Sequence, residues 1–158
     1  MQGDLDRDDA AILHLLQSDA RNITTGEIST RVGLASSTVA ARINELEARG
    51  IITGYRPRID YEKAGLDQHI LLICKLAPKT DETVVEQISE VENVISVRQL
   101  LAEPARIHVE LVAPTQERLE DVSNELDELG IEITNTELIE AVYGNVFNHF
   151  GEKYTTGE

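Results

Sequence analysis

The hydrophobic period of this chain is helical as far as Tyr61 and mixed beyond it, which limits the chain to a helical head followed by a mixed α/β body. Ahead of Tyr61, apolar residues recur at helical spacing in three short segments. Asp6 caps the first, with Asp9 in its first turn, where a carboxylate favours the helix N-terminus. Ile12, Leu13 and Leu16 form its apolar side, with Leu5 ahead of the cap. Thr24-Thr25-Gly26-Glu27 reads as a capping box for a second helix, which buries Ile28 and Val32 and stops at Gly33. A third helix is expected from about Ser36 to Arg49, with Val39, Ile43 and Leu46 inward and Gly50 closing it. Ile51 to Tyr55 then reads as a short strand and turn. Three short helices and a β element predict a winged helix-turn-helix.

Beyond Tyr61 the spacing predicts strands over Ile70–Leu76, Val94–Leu101, Ile107–Val112 and Ile131–Val142. Helices are expected over Asp81–Val91 and Thr115–Leu129. The order βαββαβ is the ferredoxin-like arrangement, and the fold class expected for the whole chain is α+β. Lys75-Leu76-Ala77-Pro78 recurs thirty-six residues later as Leu111-Val112-Ala113-Pro114, as two βαβ halves would produce. The expected domains are 1–62 (the head with its linker strand), 63–142 (the βαββαβ unit) and 143–158, a C-terminal tail. Four of the six aromatics, Tyr143, Phe147, Phe150 and Tyr154, fall in that tail. Their spacing would align them on one helical stripe covering a subunit interface or the sheet.

Charge is unevenly shared. The chain carries a net −15, but residues 1–62 hold ten acids against seven Arg, whereas residues 63–158 hold nineteen acids against seven bases. The head, at −3, can therefore approach a polyanion in a way that the body, at −12, cannot. Only four Lys occur, and abundant acids with few Lys match the surfaces of proteins from salt-loving microbes. No apolar run approaches the roughly 18–20 residues that span a bilayer. Met1-Gln2-Gly3-Asp4 lacks a basic or apolar leader, so a cytoplasmic protein with no membrane partner is expected. One cysteine, Cys74, excludes an intrachain disulfide and reads as a buried thiol on a strand face.

The third helix carries the chemistry. With Val39, Ile43 and Leu46 inward, Ser36, Ser37, Thr38, Ala41, Arg42, Asn44 and Glu45 face mostly outward. Hydroxyls at a helix start reach phosphate or base edges, Arg42 can take phosphate or guanine, and small Ala40 and Ala41 allow close approach to the groove. Arg31, Arg56 and Arg58 would grip the flanking backbone. From pattern alone a small helical bundle with a solvated face stays open.

Residues 5–65 resemble the N-terminal signature of the Lrp/AsnC (feast/famine) transcription regulators. The resemblance rests on Leu5, Asp6, Asp9, Ile12-Leu13, Leu16-Gln17, Arg21, Glu27, Val32-Gly33-Leu34, Ser37, Val39, Arg42, Leu46-Glu47, Gly50-Ile51-Ile52, Gly54-Tyr55 and Gly65. With the acidic composition, it points to a member from a halophilic archaeon. It implies sequence-specific binding of double-stranded DNA through the third helix and a dimer built through the C-terminal sheets, often assembled into octamers. It also implies a small effector such as an amino acid, and no enzymatic activity or cofactor. Two positions depart from the pattern. Ala35 stands where the family often has Ser, which would move the helix cap to Ser36. Leu101-Ala102-Glu103-Pro104-Ala105-Arg106 replaces a turn with Gly and Asp near the effector site. Glu103 and Arg106 are the candidate effector residues there, with Thr134 and Thr136, which match the family's spaced threonines.

Other readings carry less. His14, His69, His108 and His149 are too scattered to form a ligand pair, so no metal site is expected. Sirohaem decarboxylases share the two-domain plan, but Ser96-Val97-Arg98-Gln99-Leu100 lacks the His and Tyr expected of such an enzyme. A ligand-binding assembly protein without DNA binding is the remaining alternative.

Overall fold

The structure, a computed structural model, describes residues 5–77, 82–147 and 152–155. It separates into two compact units, one holding the described residues up to Pro57 together with those from Tyr143 onward, the other Arg58–Val142.

In the first unit, α1 (Arg7–Asp19), α2 (Thr25–Val32) and α3 (Ser36–Ala48) enclose a small core of Ile12, Leu13, Leu15, Ile28, Val39 and Leu46. Each start has a local cause. Asp6 accepts the Asp9 N–H at 2.8 Å, and Thr24 with Glu27 closes the expected capping box. Gly33 ends α2 at φ +79°, a conformation that a side chain would strain. The cap of α3 differs from expectation: Ala35, not Ser36, is the N-cap, and it has no side-chain hydrogen bond to give.

The expected strand over Ile51–Tyr55 does not form. The N–H groups of Ile51 and Ile52 both turn back to the Leu46 carbonyl, at 2.9 and 3.2 Å, closing the end of α3 instead of entering a ladder. Gly54, at φ +154°, follows in irregular chain that runs to Asp60.

The second unit is a four-stranded antiparallel sheet of β1 (Gln68–Lys75), β2 (Val94–Leu100), β3 (Arg106–Ala113) and β4 (Glu132–Leu138), in the order β2-β3-β1-β4. Helices α4 (Glu82–Glu90) and α5 (Gln116–Glu128) connect β1 to β2 and β3 to β4, giving the expected ferredoxin-like order. Alternation sends Ile70, Leu72 and Cys74 of β1, and Ile107, Val109 and Leu111 of β3, to one face. There they meet Ile88 and Val91 at the end of α4, and Leu119, Val122 and Leu126 of α5. β4 stops at Leu138, short of Val142, after the Ile139 N–H makes a final bond to His69 O at 2.8 Å.

The tail also departs from expectation. Residues 139–147 form neither helix nor strand, and Phe150 lies outside the described residues. Gly144 disfavours a helix, and Asn145 competes for the backbone by accepting the Val146 N–H at 2.8 Å. In the first unit a 3-10 turn, Glu152–Tyr154, lies against α1, with the Arg7 guanidinium 5.6 Å from the centroid of the Tyr154 ring. The Phe147 N–H donates to Gln17 at 3.2 Å.

Cys74 is fully buried, and burial pushes its thiol up to about 11. Because the neutral form is favoured by folding, the stability it lends is complete below its ordinary value of 9.0 and is lost as pH rises towards the folded value. At pH 8 the folded protein should therefore resist alkylation at Cys74 while the denatured chain reacts at once. Rapid labelling without denaturant would show that this strand face is open.

Candidate nucleic-acid interface

The turn from α2 to α3 consists of Gly33, Leu34 and Ala35, pinned by hydrogen bonds from the Gly33 and Leu34 N–H groups to the Ser29 carbonyl at 2.9 and 3.3 Å. It presents α3 with Val39 and Leu46 buried and Ser36, Ser37, Thr38, Ala41 and Asn44 exposed, as the sequence pattern expects. Because Ala35 offers no side-chain acceptor, α3 starts without a side-chain cap, although the Thr38 N–H donates to the Ala35 carbonyl at 3.0 Å. An uncapped helix start is a setting that favours an anion.

Arg42 is placed differently. Its Nη1 lies 2.7 Å from Asp6 and 2.8 Å from Asp9, and Nη2 lies 3.6 Å from Asp8. All three carboxylates belong to the start of α1, so the guanidinium ties α3 to α1 across 33 to 36 residues of chain. The carboxylates of Asp6 and Asp9 in turn raise the Arg42 pKa above its already high ordinary value. The N–H of Asp9, and then Arg42, hold the Asp6 carboxyl below its ordinary 3.8. Asp9 is the most enclosed of the three, with 11% of its side chain exposed. A buried carboxylate of that kind is retained because a cation and a hydrogen bond satisfy it.

In the sequence Asp6 and Asp9 are legible as helix-start residues, but their partnership with Arg42 is not. One signal was available: position 42 lies three residues after Val39 and four before Leu46, on the flank of the inward stripe.

The other expected DNA contacts are dispersed. Arg31 is half-buried on the last turn of α2, and Arg56 and Arg58 are exposed in the irregular chain after α3. Glu47 of α3 accepts the Tyr55 hydroxyl at 2.9 Å, and burial followed by this bond raises the Tyr55 pKa.

In the second unit Glu103 is exposed in the β2–β3 turn, where the peptide to Pro104 is cis, and Arg106 is exposed at the first position of β3. The Thr134 hydroxyl donates to Ile73 O at 2.9 Å, at a shift in the β1–β4 register, and Thr136 stands opposite Leu72. β1 lies between β3 and β4, so the structure does not join Arg106 to the threonines. A polar group that the sequence reading missed lies on the sheet face away from the helices. His69 and Glu110 are 2.7 Å apart, Arg98 is 3.9 Å from Glu110, and the Tyr61 ring packs edge-on against His69 at 5.6 Å.

Residues 5–53 match a family profile described as winged helix-turn-helix DNA-binding. Over 119 residues the chain is 32% identical to the HTH-type transcriptional regulator LrpA of Mycobacterium tuberculosis, covering 75% of this chain and 78% of the relative. The chain belongs to the Lrp/AsnC family of transcription regulators. Solved structures agree. The leucine response regulatory protein LrpA of M. tuberculosis superposes with a TM-score of 0.77 at 25% identity, covering 92% of this chain and 99% of that one. A feast or famine regulatory protein from M. tuberculosis complexed with L-methionine gives a TM-score of 0.78 at 25% identity, over 93% and 99% of the two chains. This Lrp/AsnC protein is thus a DNA-binding regulator, and its relatives are regulators rather than enzymes. The comparisons lend no support to a salt-loving archaeal origin, which rests on composition alone. Among the described residues no helix is long and apolar enough to cross a membrane.

Asp6→Asn keeps an oxygen for the helix cap and removes one charge from the Arg42 cluster. Asp6 has a lowered folded pKa, so its contribution is present above 3.8 and is lost as pH falls through the folded value. The Asp6 side chain is 52% exposed, and solvent screening keeps the effect under about 1 kcal/mol. Thermal melts from pH 7 to pH 2.5 should show a shallower acid limb in the variant. Superimposable pH profiles would remove Asp6 from the cluster's energetics.

Proposed function

We propose that this regulator reads the major groove with the exposed face of α3 and holds the flanking phosphates with Arg31, Arg56 and Arg58. The observation that carries this reading is the helix itself, polar along its outer side and lacking a side-chain cap, on a turn fixed by Gly33. Ser36, Ser37, Thr38, Ala41 and Asn44 are the contacting residues, and Arg42 serves as a positioning residue from behind. Moving Arg42 to the DNA would break two short charge-assisted bonds and strand Asp9.

Self-association through the second unit is part of the same proposal, because half-sites are engaged in pairs. The sheet face opposite the helices is the surface for it. There Leu71 stands beside Glu110 and Ile73 beside His108, a mixed apolar and polar surface that, among the described residues, lies outside the helix-packed core. We assign the protein to the cytoplasm and assign it no catalytic role. An amino-acid effector is supported by the methionine complex of the related regulator. Glu103, Arg106, Thr134 and Thr136 remain its proposed contacts, brought together between copies of the chain. Adaptation to concentrated salt is supported by 29 acids against 14 Lys and Arg.

Binding to the DNA upstream of its own gene, followed by fluorescence anisotropy with and without a panel of amino acids, tests the reading. The salt dependence sorts the arginines. Arg56→Ala should weaken binding and reduce the slope of log affinity against log salt by about one, as a lost phosphate contact does. Arg42→Ala should weaken binding with the slope unchanged. The reverse pattern would exchange the two roles.

A further inference from the structure

We infer that α3 reads A·T pairs, with the Asn44 amide on adenine and the Ala41 methyl on thymine, and that it makes no guanine contact through arginine. The inference rests on the proposed DNA-binding role of α3 and specifies the base chemistry it recognises.

Arginine on guanine O6 and N7 is the commonest specific contact in the major groove. Within Ser36–Ala48 the one cationic side chain is Arg42, and Asp6 and Asp9 hold it at 2.7 and 2.8 Å. Its charge is not removable at any ordinary pH, and its departure would leave Asp9, 11% exposed, without a cation. The guanine-reading donor is therefore committed inside the head.

What remains outward is a stripe at helical spacing. Ser37, Ala41, Asn44 and Ala48 stand at i, i+4, i+7 and i+11, and all four are exposed. The stripe offers two methyls, one hydroxyl and one amide. An Asn amide matches adenine, accepting from N6–H and donating to N7, while a small methyl matches the C5 methyl of thymine. A hydroxyl serves any base and does not discriminate. Glu45 and Glu47 flank the stripe, and a carboxylate there accepts from an exocyclic amino group, most commonly cytosine N4. Glu47 is taken by the Tyr55 hydroxyl at 2.9 Å, and Glu45 lies 3.9 Å from Arg49, one turn along the helix. The uncharged pairing groups of α3, the Asn44 amide and the Ala41 methyl, thus match adenine and thymine.

The test is selection of bound sites from a random-duplex pool by the full-length protein, followed by base-analogue substitution in the enriched half-site. Replacing adenine by 7-deazaadenine removes the N7 acceptor, and replacing thymine by uracil removes the methyl. At one adenine the deaza substitution should cost the wild type about tenfold in affinity. It should cost a folded Asn44→Ala protein less than about twofold, the reader having gone. Uracil at a neighbouring position should weaken wild-type binding about threefold. Enriched half-sites whose discriminating base is guanine, sensitive to 7-deazaguanine in the wild type and indifferent in Arg42→Ala, would overturn the inference. So would a discriminating cytosine whose preference disappears in Glu45→Gln. Either of those results leaves DNA binding intact, whereas a pool with no enriched duplex would overturn the DNA-binding reading and this inference with it.

Discussion

The Arg42 guanidinium and the carboxylates at the start of α1 set the geometry on which the head depends. A three-helix unit of this size has few apolar residues to spend: Ile12, Leu13, Leu15, Ile28, Val39 and Leu46 make up most of the buried cluster. Apolar contact resists separation of helices but is non-directional, so it fixes their rotation weakly. Short charge-assisted bonds from one planar guanidinium to Asp6 and Asp9 supply the missing direction. They hold α3 at one rotation about its own axis, and that rotation decides which side chains face outward. The same interaction holds the one cationic side chain of α3 against the carboxylates of α1.

The second unit is organised on a different principle. Its centre is β1, paired with β3 and β4, and a continuous apolar layer beneath it joins Leu72 and Cys74 to α4 and α5. On the opposite face Glu110 lies 2.7 Å from His69 and 3.9 Å from Arg98, next to Leu71 and Ile73. The half-buried His69–Glu110 pair makes this face polar at its centre, whereas the Arg98 side chain stays mostly in solvent. The helical head thus carries an exposed polar stripe on α3, and the sheet unit a polar face away from its helices.

Much of this was legible in the sequence, for physical reasons that vary by element. Helical spacing of Ile28 and Val32, the Thr24–Glu27 box and Gly33 placed α2, because each signal is local. The βαββαβ order was legible because period-2 and period-3.6 patterns alternate cleanly beyond Tyr61. The strand expected at Ile51–Tyr55 was lost because a β-rich composition cannot reveal that the N–H groups of Ile51 and Ile52 return to the Leu46 carbonyl. The aromatic spacing of the tail suggested a helix, but Gly144 and the local bond of Asn145 outweigh it over the described residues. Arg42 shows the limit of reading a face by spacing. A residue at the edge of an apolar stripe can point to either side, and the choice was made by carboxylates more than thirty positions away.

The measurement that tests the central claim most directly is a crystal structure of the protein bound to a duplex carrying its operator. In the complex the Arg42 Nη1 should stay within hydrogen-bond distance of Asp6 and Asp9, as it does without DNA. Ser37, Ala41 and Asn44 would then face the base edges. An Arg42 side chain released from both carboxylates and bonded to a guanine or a phosphate would contradict it.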